Sequence, residues 1–175
     1  MDKLVEQGSR RLKWAYEHMP VIQELDRRYR EEQPLAGLKI GMALHTEAKT
    51  GMLAVTLANA GAKICLASCN PLSTDDSVAA ALRDEYGLDV HAKKYETQEE
   101  YYNNLNAVLN ISPDYVIDDG ADLITMAHTK RRDALKNIKG GNEETTTGVI
   151  RLKAMAAQGK LEFPVMDIND AKMKY

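Results

Sequence analysis

Short apolar runs alternating with helix-length segments constrain this chain more than any other feature of its 175 residues. Residues 38–44 (LKIGMAL) read as a buried strand, followed by a helix over 47–60 that Gly61 ends. A second strand over 63–68 leads into a helix over 74–86 closed by Gly87, and a short third strand occupies 88–93. Thr97 caps a helix that runs to about Leu109, and 115–118 is a fourth strand. Short helices then reach about Asn137, a helix follows the threonines at 145–147, and 164–168 closes as a fifth strand. Strands separated by helices of roughly ten residues or more pair in parallel, with helices on both faces of the sheet. The expected fold is α/β: a doubly wound, mainly parallel sheet, Rossmann-like or flavodoxin-like.

Ahead of the sheet, residues 3–30 are charged and periodic, with Leu4, Leu12, Trp14, Ala15, Met19, Ile22 and Leu25 as apolar positions. Pro20 interrupts the pattern, which predicts two helices joined near Met19-Pro20 and a polar linker over 31–37. One domain is expected over 1–175, with N-terminal helices 1–35 and an α/β core 36–175.

Composition excludes several classes. Hydrophobic residues make up 44% and charged residues 28%, as in ordinary globular proteins. The 23 basic and 26 acidic side chains give a net charge of −3, which argues against nucleic acid or an anionic membrane as partner. No apolar run reaches membrane-spanning length, and an N-terminus carrying Asp2, Lys3 and Glu6 is not a signal peptide. With only Cys65 and Cys69, a reducing, cytoplasmic location is expected.

In open parallel sheets, ligands sit beyond the carboxyl ends of the strands. Here the first strand delivers His45-Thr-Glu47, the second Ser68-Cys-Asn70, the fourth Asp118-Asp-Gly120 and the last Asn169-Asp170. Taken singly, His45 could be a core histidine, Cys69 a small buried hydrophobe and Asp118 a helix cap. Several polar strand exits on one rim make a polyol or nucleoside site.

The loop Gly140-Gly-Asn-Glu-Glu-Thr-Thr-Thr-Gly148 adds to that rim. Its two glycines suggest a freely turning backbone. Glu143 and Glu144 suit a helix N-terminus, where negative charge is favoured. Three consecutive threonines are poor helix formers but apt ligands for a ribose or an amide. The bland alternative, a well-capped surface helix, stays open at this point.

Several known site types are missing. The chain has no G-x-G-x-x-G, no Walker loop and no G-x-S-x-G elbow. Cys65 and Cys69 lack a second cysteine pair for a zinc site, and no metal is expected. His18, His91 and His128 are scattered and read as surface or packing residues.

The chain nevertheless resembles the S-adenosylhomocysteine hydrolase family. The likeness runs from the Met19-Pro20 joint to Lys174, through Ala67-Ser-Cys-Asn-Pro-Leu-Ser-Thr74, Asp118-Asp-Gly-Ala-Asp-Leu123, Glu143-Glu-Thr-Thr-Thr-Gly148, Phe163-Pro164 and Asn169-Asp-Ala171. The resemblance implies a nucleoside thioether substrate, a tightly held NAD and a homo-oligomer. It implies oxidation of the substrate 3′-hydroxyl to a ketone, which acidifies the C4′ hydrogen. Elimination of homocysteine, addition of water and reduction of the ketone complete the cycle.

By the same resemblance, Glu144 matches the ribose carboxylate, Lys174 the lysine beside the 3′-hydroxyl, and Asn169 a neighbouring site asparagine. Asp119 matches the active-site aspartate, His45 the histidine near C5′, and Cys69 with Asn70 the pair lining the catalytic centre. Thr145, Thr146 and Thr147 match residues at the nicotinamide end of NAD. Glu47, Lys49 and Thr50 match positions near the purine, where Glu47 and Lys49 resemble a variant of archaeal and some bacterial relatives. A cation at Lys49 would donate to the 6-keto group of hypoxanthine more naturally than to adenine's amine.

In the family, a Rossmann domain for NAD and a returning tail follow this lysine; neither lies within these 175 residues. The expectation is a substrate-binding domain that does not turn over alone. Two rivals are a non-catalytic nucleoside-binding module and a phospho-accepting receiver domain. A receiver would need its acidic pair after the first strand, where this chain has Leu44-His45.

Overall fold

The structure, a computed structural model, describes residues 2–174. β1 (Lys39–Leu44) sets its plan. Ile40, Met42 and Leu44 enter one apolar cluster while Ala43 enters another on the opposite face. Burial on both faces is what a central parallel strand requires. β2 (Lys63–Ser68) pairs along one side of β1 and β4 (Tyr115–Asp118) along the other. β3 (Asp89–His91), β5 (Gly140–Glu143) and β6 (Val165–Asp167) complete a six-stranded, all-parallel sheet in the order β3-β2-β1-β4-β5-β6. The chain builds outward from β1 to β3, then crosses back to β4 and builds the other way. The strand order therefore reverses between β1 and β4, where open α/β sheets bind their ligands.

Helices α1 (Lys3–Glu17), α2 (Pro20–Glu32), α3 (Ala48–Asn59) and α4 (Asp76–Asp84) lie on one side of the sheet. Val5, Leu12 and Ala15 of α1 share a core with Met52, Val55, Val78 and Leu82. On the other face, α5 (Gln98–Asn110), α6 (Asp122–Thr129) and α7 (Thr146–Ala157) bury Leu105, Leu123 and Leu152 beside Cys65 and Ala67. A short 3-10 turn, Ala134–Lys136, follows α6. Pro20 opens α2 at its first turn, and Thr97 with Glu100 forms a reciprocal capping box on α5. No described helix is long and apolar enough to cross a membrane.

The structure refines one sequence reading and corrects another. On α1, Trp14 and Leu4 are exposed, and the buried face is Val5, Gly8, Leu12 and Ala15. More consequentially, Gly140–Glu143 is not a turn but a strand between β4 and β6, which makes six strands rather than five. Gly141 is there for closeness: a Cβ on it would sit 2.9 Å from Val116 Cγ2 and 3.2 Å from Val116 O.

Candidate active site

At the switch point, one residue beyond each strand, three reactive groups converge. The Asp119 amide donates to Ala43 O at 3.0 Å and the Cys69 amide to Leu44 O at 3.2 Å, so the sheet pairing continues past the strand ends and fixes both side chains. The His45 ring nitrogens, the Cys69 sulfur and the Asp119 carboxylate offer atoms that all lie within 4.8 Å of one another. His45 Nε2 is 3.4 Å from Asp119 Oδ2, and Nδ1 is 2.5 Å from Ser73 Oγ. His45 is therefore an accessible rim residue and not a core histidine. Burial first, then the charges of Asp119 and Asp118, push the Cys69 thiol far above its ordinary range. It remains a protonated thiol, unsuited to nucleophilic attack. Burial also raises Asp119; the nearby His45 opposes that rise, and the Glu144 carboxylate adds to it. Asn70 uses Oδ1 to accept from Leu72 N at 2.9 Å, which shapes the turn that brings Ser73 to His45.

A second group stands beside the first, after β5 and β6. Lys174 Nζ donates to Glu144 Oε1 at 2.7 Å, Glu144 O at 2.6 Å and Asn169 Oδ1 at 3.0 Å. Thr146 Oγ1 is 3.3 Å from Asn169 Oδ1. Thr145 is the N-cap of α7, yet its hydroxyl caps nothing; Thr146 and Thr147 are exposed. The Asp119–Glu144 contact joins the two groups into one acidic rim with a histidine at one end and an ammonium at the other.

Beneath the rim lie two further carboxyls, Asp118 and Glu143. Asp118 and Glu143 are the last residues of β4 and β5, stand opposite each other in register, and are fully buried. Asp118 accepts from the amides of Asp119 at 3.0 Å and Ile124 at 2.8 Å, tying down the first turn of α6 from outside it, since the N-cap of that helix is Ala121. Glu143 Oε1 accepts from Gly120 N at 2.8 Å and Thr145 N at 3.0 Å, while its Oε2 is buried without a partner among the described residues. Burial raises both, Asp118 to about 8, despite these amide bonds. Each doublet, Asp118-Asp119 and Glu143-Glu144, thus splits: one carboxyl goes under the sheet end and clamps the loops, the other faces the rim. The doublets themselves, at two strand exits, were the available signal.

Glu47, Lys49 and Thr50 follow directly on the rim, the Glu47 amide donating to His45 O at 2.9 Å. Glu47 is the N-cap of α3, its Oε1 accepting from Thr50 N at 2.9 Å, and Lys49 is exposed on the first turn. A cavity of about 390 Å³ lies elsewhere, between α1, α2, α3 and α4; Glu6, Arg10, Lys13, Asp26 and Arg30 line it, and no rim residue does. Of the scattered histidines, His128 is a packing residue, its Nε2 accepting from Glu162 N at 3.0 Å. His18 stacks on Trp14 with centroids 4.3 Å apart. His91 sits beside Asp89 on β3.

A family model described as S-adenosyl-L-homocysteine hydrolase matches residues 2–135 and 126–175. The chain is 56% identical over 168 residues to an adenosylhomocysteinase of Thermoplasma volcanium, a match covering 96% of this chain and 41% of that protein. It is 57% identical over 172 residues to an S-inosyl-L-homocysteine hydrolase of Methanocaldococcus jannaschii, covering 98% of this chain and 41% of that protein. An adenosylhomocysteinase of Thermotoga maritima is 47% identical over 168 residues, 96% of this chain and 41% of its own length. The chain thus spans 41% of the length of each of these relatives. With the family model matching from end to end of the described residues, the chain belongs to the S-adenosyl-L-homocysteine hydrolase family.

Proposed function

We propose that these residues form the substrate-binding domain of a hydrolase that splits the thioether of S-adenosylhomocysteine or S-inosylhomocysteine into homocysteine and the nucleoside. The observation that carries this reading is the Glu144–Lys174–Asn169 group at the sheet's carboxyl edge, beside His45 and Asp119. A carboxylate accepts from two vicinal hydroxyls, and an ammonium held at 2.7 Å from it stands ready at one of them. That arrangement recognises a ribose.

NAD, when bound, supplies the hydride acceptor and donor at the 3′ carbon. This chain's residues fit its nicotinamide end: the Thr145 hydroxyl caps nothing, and the α7 N-terminus offers amides and two exposed threonines. Glu144 and Asn169 orient the 2′- and 3′-hydroxyls. In its neutral amine form Lys174 takes the 3′-hydroxyl proton as the hydride leaves that carbon, and returns it on reduction. His45 and Asp119, near C5′, exchange the protons that accompany departure of the homocysteine sulfur and arrival of water. Cys69, held as a thiol, packs the wall between them without competing as a nucleophile. In this reading Glu47, Lys49 and Thr50 face the purine, the domain works in the cytoplasm, and the complete protein is a homo-oligomer.

Calorimetric titration with S-adenosylhomocysteine, S-inosylhomocysteine and free homocysteine tests the reading. One saturable site is expected for at least one nucleoside thioether and none for homocysteine; no binding of either thioether would overturn the proposal.

A further inference from the structure

Away from the nucleoside rim, β2 and β3 bring a thiol, a carboxylate and an imidazole together. Asp89 and His91 are alternate residues of a strand and point to the same face; Val90 between them enters the opposite core. Cys65 pairs in register with Asp89, and its side chain belongs to the apolar cluster on that same face. His91 lies opposite the small Ala67, and its ring reaches Asp89, with Nε2 2.9 Å from Oδ1. The three groups offer donor atoms within 4.8 Å of one another.

We propose that Cys65, Asp89 and His91 bind a divalent transition-metal cation of the zinc type on the β2–β3 edge of the sheet, independently of nucleoside binding. Spacing along the chain does not reveal this set, because Cys65 lies on β2 and its partners on β3. The ligand set is one sulfur, one nitrogen and one oxygen, a mixture that suits zinc and its neighbours and not calcium or magnesium. A thiolate and a carboxylate neutralise the ion's charge, and the imidazole binds as a neutral ligand. Cys65 is fully buried, whereas the side chains of His91 and Asp89 are 36% and 46% exposed. The sulfur closes the site from within, and a water can complete the tetrahedron from outside.

Cobalt(II), as a spectroscopic stand-in, tests the site on the reduced, purified chain. One equivalent should give the visible bands of a tetrahedral ion and a thiolate-to-cobalt charge-transfer band, both removed by competing zinc. His91→Ala and Asp89→Asn, at exposed positions, should each weaken binding about tenfold. Cys65→Ala should abolish the charge-transfer band. Cys69→Ser should leave the spectrum unchanged. A spectrum without the charge-transfer band, or one that survives both surface variants, would contradict the proposal. So would loss of the band in Cys69→Ser, which would put the ion at the His45–Asp119 rim.

Discussion

Lys174 Nζ lies 2.7 Å from Glu144 Oε1 and 2.6 Å from the Glu144 carbonyl, so residues thirty positions apart hold one another across the ends of β5 and β6. Both side chains are partly exposed, and an ion pair of that kind adds little to folding, about 0–1 kcal/mol. Its value is orientation. Glu144→Gln and Lys174→Ala should each weaken nucleoside binding about tenfold or more while leaving thermal unfolding nearly unchanged. Titration and melting of the same variants separate the two effects. A variant that binds as tightly as the parent loses its assigned role.

Gly148 faces Glu143 at the start of α7, and a Cβ there would stand only 2.1 Å from Glu143 Oε1. The carboxylate cannot move without releasing the amides of Gly120 and Thr145. Gly148→Ala should therefore destabilise the domain by about 1–3 kcal/mol, although alanine favours helices. Denaturant unfolding checks it, and an unchanged midpoint would show that the loop yields freely.

The buried Asp118 gives stability a pH dependence of definite sign. Its folded value stands raised to about 8 from 3.8, because burial disfavours the charged form. The proton is then held more tightly in the folded state, so this contribution is fully present below 3.8 and is lost as pH rises through about 8. Asp118→Asn removes that loss. Relative to the parent, the variant should gain stability steadily between those two values. A constant difference across the window would mean that Asp118 is ionised in the folded protein.

Much of this was legible in the residues. Apolar runs at 38–44 and 63–68, the proline at Pro20, the cap at Thr97 and the stops at Gly61 and Gly87 all mark real boundaries. The polar strand exits likewise converge as the topology demands. β5 was hidden because its four residues, Gly140–Glu143, carry almost no strand signal; its place is set by pairing between β4 and β6 and by the need for closeness at Gly141. The division of labour within Asp118-Asp119 and Glu143-Glu144 was hidden for a related reason. Which carboxyl goes under the sheet depends on register, which spacing along the chain does not reveal. Residues gathered from two strands, as at Cys65, Asp89 and His91, are invisible for the same cause.

If Glu47 and Lys49 face the purine as proposed, the first turn of α3 sets base preference. Glu47 Oε1 is engaged in capping that helix, whereas Lys49 is exposed. An ammonium donates to a 6-keto group and not to a 6-amine. Inosine should bind more tightly than adenosine, by on the order of tenfold, and Lys49→Glu should reverse the order. Equal affinities in both proteins would show that Lys49 does not read the base.

The proposed 3′-oxidation needs a hydride acceptor held in place, and these 175 residues contain no dinucleotide fingerprint. With NAD supplied in solution, the chain alone should release no homocysteine beyond background from either thioether. A thiol assay decides this, and sustained release would refute the division of labour between domains.

Ribose recognition by Glu144 and Lys174 makes 3′-deoxyadenosine and 3′-deoxyinosine the decisive ligands. The parent chain should bind adenosine or inosine at one site and lose most of that affinity when the 3′-hydroxyl is absent. Glu144→Gln should bind the nucleoside and its 3′-deoxy analogue alike. If the parent itself binds the deoxy and ordinary nucleosides equally well, the Glu144–Lys174 pair is not the ribose site.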